Sequence, residues 1–574
     1  MRHPSPFAFA RNGTAFPSLL LCALALCLSC DASEPAHARH GVVASESAIA
    51  SRVGLEVLRD GGNAVDAAVA TAFAEAVTLP AAGNLGGGGF LLYRSRAGVA
   101  VAYDFRETAP ARAQESMFLR EGRYDEDLHH NSHIAVGVPG TVAGLHLAWR
   151  EHGRLPWKRL LRPAIALARD GFAVPPGLAR SLADKDVRSR LAKSPAAFAQ
   201  FYHNGVPYQA GETLKQPDLA RTLRLIAGQG PAGFYQGSVA KSIESEMAAH
   251  GGLITQSDLK AYRARHRDPV SGVYRGIQIL SMPPPSSGGA TLIQMLNVLE
   301  GCDLSEMGFG TAATVHLMAE TMRRGFAERA RYLGDPDFNP ALPIERLISK
   351  EHAEEMRQTI QPNRASSSSP DRFEWSHESP ETTHLSVVDS DRNAVALTYT
   401  LENSYGSGIV APGTGFLLNN EMGDFNAQPG LTTTNGLIGT SANLAAPGKR
   451  MLSSMSPTIL VKDGRLLLVL GSPGGRTIIN TVLEVIVNVV DHHMALQAAV
   501  DAPRFHHQWL PDQILFERGA LNPGVFEQLR QWGHDLKESK GPQGSVAAIL
   551  VSPKDGLLEG AADRRAPDGA ALGW

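Results

Sequence analysis

Thr382-Thr383-His384-Leu385-Ser386-Val387-Val388-Asp389 decides how this chain is read. It follows a Ser/Pro-rich stretch, Arg364-Ala365-Ser366-Ser367-Ser368-Ser369-Pro370, which continues through Ser379-Pro380-Glu381. A mobile polar stretch that runs into a strand headed by two threonines has the character of a self-cleavage junction. Attack of the Thr382 hydroxyl on the Glu381 carbonyl is an N-to-O acyl shift. Hydrolysis of the ester then frees the Thr382 α-amine, giving one residue both nucleophile and base. An α-amine titrates near ~8, so it can take the hydroxyl proton near neutral pH. The plainer reading of the same residues is a surface linker.

Working outward, strand signals dominate after the junction. His384 to Asp389 and Ala394 to Leu401 flank the turn composition Ser390-Asp391-Arg392-Asn393. Ile459 to Val461 and Arg465 to Leu470 flank Lys462-Asp463-Gly464, and Gly415 to Asn420 is strand-like. Gly471-Ser472-Pro473-Gly474-Gly475 then precedes Thr477 to Val490, an apolar run of helical length. Before the junction, Ile49, Val53 and Val57 share a helix face that Gly61-Gly62 ends. Asn63 can cap the Ala-rich run Ala64 to Val77. Gly86 to Gly89 lead into a buried strand, Phe90 to Tyr93, and a second strand, Val99 to Phe105, leads to Arg106. The four glycines lack a following Lys-Ser/Thr, so they indicate close backbone packing, not a phosphate loop. Residues 140–370 read as mostly helical, broken by a rigid loop at Pro283 to Gly289. The whole is an α+β pattern.

Composition narrows the function. Net charge is −3 with no Lys/Arg run, which argues against nucleic acid and anionic membrane surfaces as partners. Arg2, Arg11 and the short apolar run Pro17 to Ser29 make a targeting segment, with Ala36-His37-Ala38 as the cleavage site and residues 1–38 as signal peptide. The rival is a lipoprotein signal, 1–29, that leaves a lipid anchor on Cys30. Either way the protein is periplasmic or secreted, with no membrane span. Three of the four cysteines lie in or beside this segment, so Cys302 has no intrachain partner.

Several groups have both a chemical and a structural reading. Gly474 and Gly475 can offer backbone N–H groups to an oxyanion at a helix start, or simply make a turn. Glu421 and Asp424 can bind an ammonium, or lie in a solvated turn. Arg106 can clamp a carboxylate, or be a surface charge. Ser453 and Ser454 are turn formers or donors. His129-His130, His492-His493 and His506-His507 lack metal-ligand spacing and read as structural, so no metal is expected.

Together these segments resemble the γ-glutamyltranspeptidase (glutathione hydrolase) family of bacterial type. The resemblance spans roughly residues 40–574. It rests on GGNAVDAAVA at 61–70, GNLGGGGF at 83–90, DFRETAP at 104–110, TTHLSVVD at 382–389, LLNNEMGDF at 417–425, LSSMSPT at 452–458 and GSPGG at 471–475. It implies an N-terminal-nucleophile hydrolase, an αββα sandwich of two sheets between helical layers. It further implies one precursor cut between Glu381 and Thr382 into a large subunit, 39–381, and a small subunit, 382–574, that remain a heterodimer. Thr382 resembles the nucleophile and Thr400 the threonine that orients it. Arg106, Ser453 and Ser454 resemble the substrate carboxylate site, Glu421 and Asp424 the amine site, and Gly474 and Gly475 the oxyanion hole. The implied substrates are glutathione and other γ-glutamyl amides, the acyl group passing to water or to amino acid or dipeptide acceptors. No cofactor is implied.

Two departures stand out. Glu402 occupies a position where many members have asparagine, and a third carboxylate there still suits an ammonium. In the loop Pro429 to Thr440, Asn435 and its threonine neighbours stand where many bacterial members carry an aromatic lid residue. A polar lid implies strong competition from hydrolysis, or a shifted acceptor choice. Two rivals differ in kind: an acylase for glutaryl-type amides, and an uncleaved binding protein that keeps the fold.

Overall fold

Thr383–Val388 is an interior strand of a seven-stranded antiparallel sheet, beside its central strand Ala394–Thr400. The structure is a computed structural model that describes residues 35–369, 382–430, 433–434 and 438–574. The signal segment up to residue 34, the cleavage residue Glu381 and the lid position Asn435 lie outside the described residues.

The first sheet runs Arg265–Arg267, Ala100–Phe105, Gly88–Arg94, Ala394–Thr400, Thr383–Val388, Val42–Ser45 and Ala570–Gly573. The second, also antiparallel, runs Ala36–Ala38, Leu558–Ala562, Ala547–Val551, Arg465–Gly471, Thr458–Lys462, Ile277–Ser281 and Val270–Tyr274. The sheets face each other, and Leu92, Ala396, Ile459 and Val469 share the core between them. Helices Ala48–Arg59 and Ala64–Thr78 cover the first sheet, with Asn63 capping the second of them as its sequence suggests. Helices Gly288–Glu300 and Thr477–Val490 cover the second sheet. This is the αββα sandwich.

Both central strands are buried along their whole length, so each face needs side chains that pack. One face carries three polar groups all the same. The His384 ring bonds Thr398 Oγ1 at 2.7 Å and Ser386 Oγ at 3.0 Å, and the Ser386 hydroxyl donates to the Ala547 carbonyl of the other sheet at 3.0 Å. Burial holds His384 down to about 3, so the ring is neutral.

Residues 140–370 are mostly helical, as read, with a departure that supplies strands to a sheet. Val270–Tyr274 and Ile277–Ser281 form a hairpin that supplies two strands of the second sheet. Its turn residues Arg275 and Gly276 both have positive φ, 52° and 73°, as a two-residue hairpin turn requires. Gly415 to Asn420 is not a strand: Leu417 and Leu418 make only isolated bridges, to Val410 and Gly86.

Candidate active site

The strand pairing brings the two threonines together. Thr383 pairs with Tyr399, so one step beyond that pair Thr382 falls opposite Thr400. The neighbouring strand can reach Thr400 only because it begins with glycine. A Cβ on Gly87 would lie 2.0 Å from the Thr400 carbonyl. Asn84 Nδ2 donates to that same carbonyl at 2.8 Å, and the Thr400 hydroxyl accepts the Glu402 amide at 2.9 Å. Glu402 sits in the left-handed region, φ 79°, which turns its carboxylate back toward the pair.

A small cavity of about 20 Å³ is lined by Arg106, Thr382, Thr400, Glu402, Glu421, Asp424, Ser453, Ser454 and Gly475. Nine of the ten side chains and glycines assigned from sequence therefore meet in one place. The tenth, Gly474, lines a neighbouring cleft that also reaches Thr382. Gly474 (φ 130°) and Gly475 (φ 54°) both need a conformation that a Cβ disfavours, and they lead into the helix Thr477–Val490. That arrangement sets the start of the helix, its positive end, beside the Thr382 cavity.

Arg106 is fully buried and contacts three carboxylates. It is ion-paired to Glu421 and to Asp424, and lies 3.7 Å from Glu107. Burial opposes its charge, but Glu421, Asp424 and Glu107 together hold it protonated. The same burial pushes Glu107 up to about 8 and Glu421 well above the ordinary carboxylate range, with Arg106 pulling both back. The expected cation and anion sites are thus in direct contact, not separate.

Sequence reasoning missed the residues that brace this cluster. His130 Nδ1 lies 3.0 Å from the Glu402 carboxylate, so one histidine read as structural in fact touches the cavity wall. Burial opposes charge on His130, and Glu402 outweighs it and raises its pKa. Arg329 donates to Ser454 Oγ at 2.9 Å and to Ser287 Oγ at 2.8 Å. Ser287 in turn donates to the Ser453 carbonyl at 2.6 Å, so the Pro283–Gly289 loop braces both serines. Asn443 Nδ2 donates to the Asp424 carbonyl at 2.7 Å, and its Oδ1 accepts the Leu452 amide at 2.8 Å. One amide side chain thereby links the acidic turn to the serine loop. A lone Asn in a loop gives no sequence signal of this.

The serine stretch also differs from expectation. It reads as a free tether, yet Ala365 to Ser368 is anchored. The Ser366 amide donates to Glu320 at 3.1 Å and the Ser368 amide to Asp512 at 2.7 Å. Arg324 and Arg323 donate to the two serine hydroxyls at 3.0 and 2.6 Å. His316, Glu320 and His534 cluster beside this clamp, where Arg323 and Arg324 occupy the Glu320 carboxylate.

The Gamma-glutamyltranspeptidase family profile matches residues 50–573. The chain belongs to the γ-glutamyltranspeptidase family. It is 48% identical over 551 residues to the Escherichia coli K12 glutathione hydrolase proenzyme, covering 95% of this chain and 93% of that protein. A cephalosporin acylase from Bacillus halodurans superposes with a TM-score of 0.82 at 27% identity, covering 99% of both chains. The Helicobacter pylori γ-glutamyltranspeptidase structure matches 56% of this chain and 91% of its own length, at 45% identity and a TM-score of 0.54. The N-terminal-nucleophile hydrolase fold, shared by transpeptidase and acylase, accounts for both likenesses. Among the described residues, no helix is long and apolar enough to cross a membrane.

Proposed function

We propose that the chain is the precursor of a γ-glutamyl hydrolase and transferase acting on glutathione and related amides. The observation that carries this is the charge lining of the Thr382 cavity. A γ-glutamyl group ends in an ammonium and a carboxylate, and Arg106 with Ser453 and Ser454 meets the carboxylate while Glu402, Glu421 and Asp424 meet the ammonium. Its amide carbonyl then lies at Thr382, positioned for attack.

Cleavage between Glu381 and Thr382 divides the chain into 39–381 and 382–574, which stay associated through the shared sheets. The Thr382 hydroxyl then attacks the γ-carbonyl, its proton passing to the Thr382 α-amine. The N–H groups of Gly474 and Gly475 stabilise the oxyanion. The tetrahedral species expels the leaving amine with that proton and leaves a γ-glutamyl ester on Thr382. Thr400 orients the nucleophile. Water or an acceptor amine attacks the ester and frees the threonine. The amino-terminal segment directs export to the periplasm or beyond.

A glutaryl-type acylase is the second reading, favoured by the likeness to the cephalosporin acylase. A glutaryl group has no amine to meet the carboxylates of Glu402, Glu421 and Asp424. A denaturing gel, N-terminal sequencing of the smaller fragment and parallel assays with γ-glutamyl and glutaryl anilides test the choice. Two fragments, a Thr382 terminus and preference for the γ-glutamyl anilide are expected. An uncut active chain, or preference for glutaryl, would overturn the proposal.

A further inference from the structure

Thr382 lines two cavities, not one. Beside the charged cavity lies a wider cleft of about 520 Å³, whose walls include Glu46, Gly474, Thr477, Lys540, Gln543 and Ser545. None of the residues around Arg106 reaches it. The cleft has its own charges. The Glu46 carboxylate accepts the Ser545 hydroxyl. Arg565 also borders the cleft, but it is held by Glu517 at 2.5 Å and by Asp563 at 3.0 Å. Lys540 is exposed at this rim and makes no ion pair among the described residues.

A γ-glutamyl amide extends to both sides of its scissile carbonyl. Its acyl half is accounted for by the charged cavity. The leaving half must then lie in the other cavity that opens on Thr382. In glutathione that half ends in a carboxylate, and an amino acid or dipeptide acceptor brings the same pair of groups, an amine and a carboxylate. A wall carboxylate with an unpaired cation at the rim complements that pair.

On the γ-glutamyl reading above, we propose that this cleft is the leaving-group and acceptor subsite, and that Lys540 makes it select amines bearing a carboxylate. The acceptor's neutral amine attacks the ester carbonyl; a C–N bond forms and the bond to Thr382 Oγ breaks. The amine proton returns to that oxygen by way of the α-amine, and nothing is oxidised or reduced. Glu46 supplies a hydrogen-bond acceptor for the amine as it approaches.

The test compares glutathione, whose leaving group is anionic, with γ-glutamyl anilide, whose leaving group is neutral. It uses the matured full-length enzyme and the variants Lys540→Ala, Lys540→Glu and Lys540→Arg. An exposed ion pair supports a modest effect, so the ratio of kcat/KM for glutathione to that for the anilide should fall about two- to fivefold in Lys540→Ala. It should fall further in Lys540→Glu and recover in Lys540→Arg. Added salt should shrink the wild-type ratio toward that of Lys540→Ala. With glycylglycine and glycylglycinamide as acceptors, the same variants should lose preference for the free acid. A ratio unmoved by Lys540→Ala and Lys540→Glu overturns the subsite and leaves the γ-glutamyl reading intact. A wild-type enzyme that cleaves neither substrate overturns both.

Discussion

Arg106 is bonded directly to Asp424 inside the cavity that Thr382 lines. A zwitterionic substrate must part this pair, its carboxylate replacing Asp424 on the guanidinium and its ammonium replacing Arg106 on the carboxylate. The exchange conserves charge contacts, so a ligand with both groups enters at little electrostatic cost. A ligand with only a carboxylate takes Arg106 from Asp424 and offers no ammonium in exchange, which is expensive. Asp424→Ala should therefore cost γ-glutamyl anilide about 2–4 kcal/mol in kcat/KM, roughly 30- to 1000-fold, and cost glutaryl anilide much less. Equal losses for both substrates would remove Asp424 from ammonium binding.

Asn443 ties the Asp424 turn to the serine loop through two hydrogen bonds. It does not line the Thr382 cavity, so it acts as a positioning residue. Asn443→Ala should raise KM for γ-glutamyl anilide about tenfold, while kcat changes less than twofold, since each lost hydrogen bond weighs about 1 kcal/mol. Steady-state kinetics on the matured variant separate the two parameters. A fall in kcat with unchanged KM would contradict the assigned role.

Gly475 precedes the Thr477–Val490 helix with φ 54°. A Cβ there costs about 1–2 kcal/mol and shifts the backbone N–H groups. If one oxyanion site serves both self-cleavage and turnover, Gly475→Ala should slow both, kcat by about 10- to 100-fold. Precursor band intensity over time and kcat of the matured fraction should fall together. Normal maturation with impaired turnover would separate the two oxyanion sites.

The clamp on Ser366 and Ser368 holds the chain shortly before the junction. A fixed point shortly before a junction leaves fewer arrangements to search for the cleavage geometry than a free one. Arg323 lies outside the Thr382 cavity, so Arg323→Ala should slow the appearance of the two fragments severalfold while the matured enzyme keeps near-normal kcat. A time course on denaturing gels gives the first quantity and anilide turnover the second. Unchanged maturation would make the clamp a purely structural feature.

Short-range patterns were legible and long-range pairings were not. The hairpin around Ser390-Asp391-Arg392-Asn393, the capped Ala-rich helix and the glycine run each follow from local chemistry, and each forms as read. The strands Ala547–Val551, Leu558–Ala562 and Ala570–Gly573 complete both sheets but are Ala-rich, which hides them among helix formers. In the site, residue types announced Arg106, Glu421 and Asp424. Their mutual ion pairs, the Arg329 brace and the contact of His130 with Glu402 depend on the fold's geometry. Spacing along the chain carries no trace of these.

Glu75 is a buried carboxyl that catalysis does not use. It sits in the helix Ala64–Thr78 and accepts the Tyr399 hydroxyl at 3.0 Å. Burial, with the nearby Glu46 charge adding to it, pushes its pKa from the ordinary 4.5 up to about 8. The folded state thus binds the proton more tightly than the unfolded chain. Its contribution to stability is complete below about pH 4.5 and is lost as pH rises through about 8. Glu107 and Glu484, both raised to about 8 chiefly by burial, act in the same window and direction. Glu75→Gln keeps the shape and the acceptor for Tyr399 but cannot ionise. The wild-type Tm should therefore decline between pH 5 and 9, and the variant's should decline less. At pH 8 the variant should gain on the order of 2–3 kcal/mol relative to its standing at pH 5. Thermal melts across that range, followed by circular dichroism, provide the comparison. Parallel curves for the two proteins would mean that Glu75 titrates as an ordinary carboxylate.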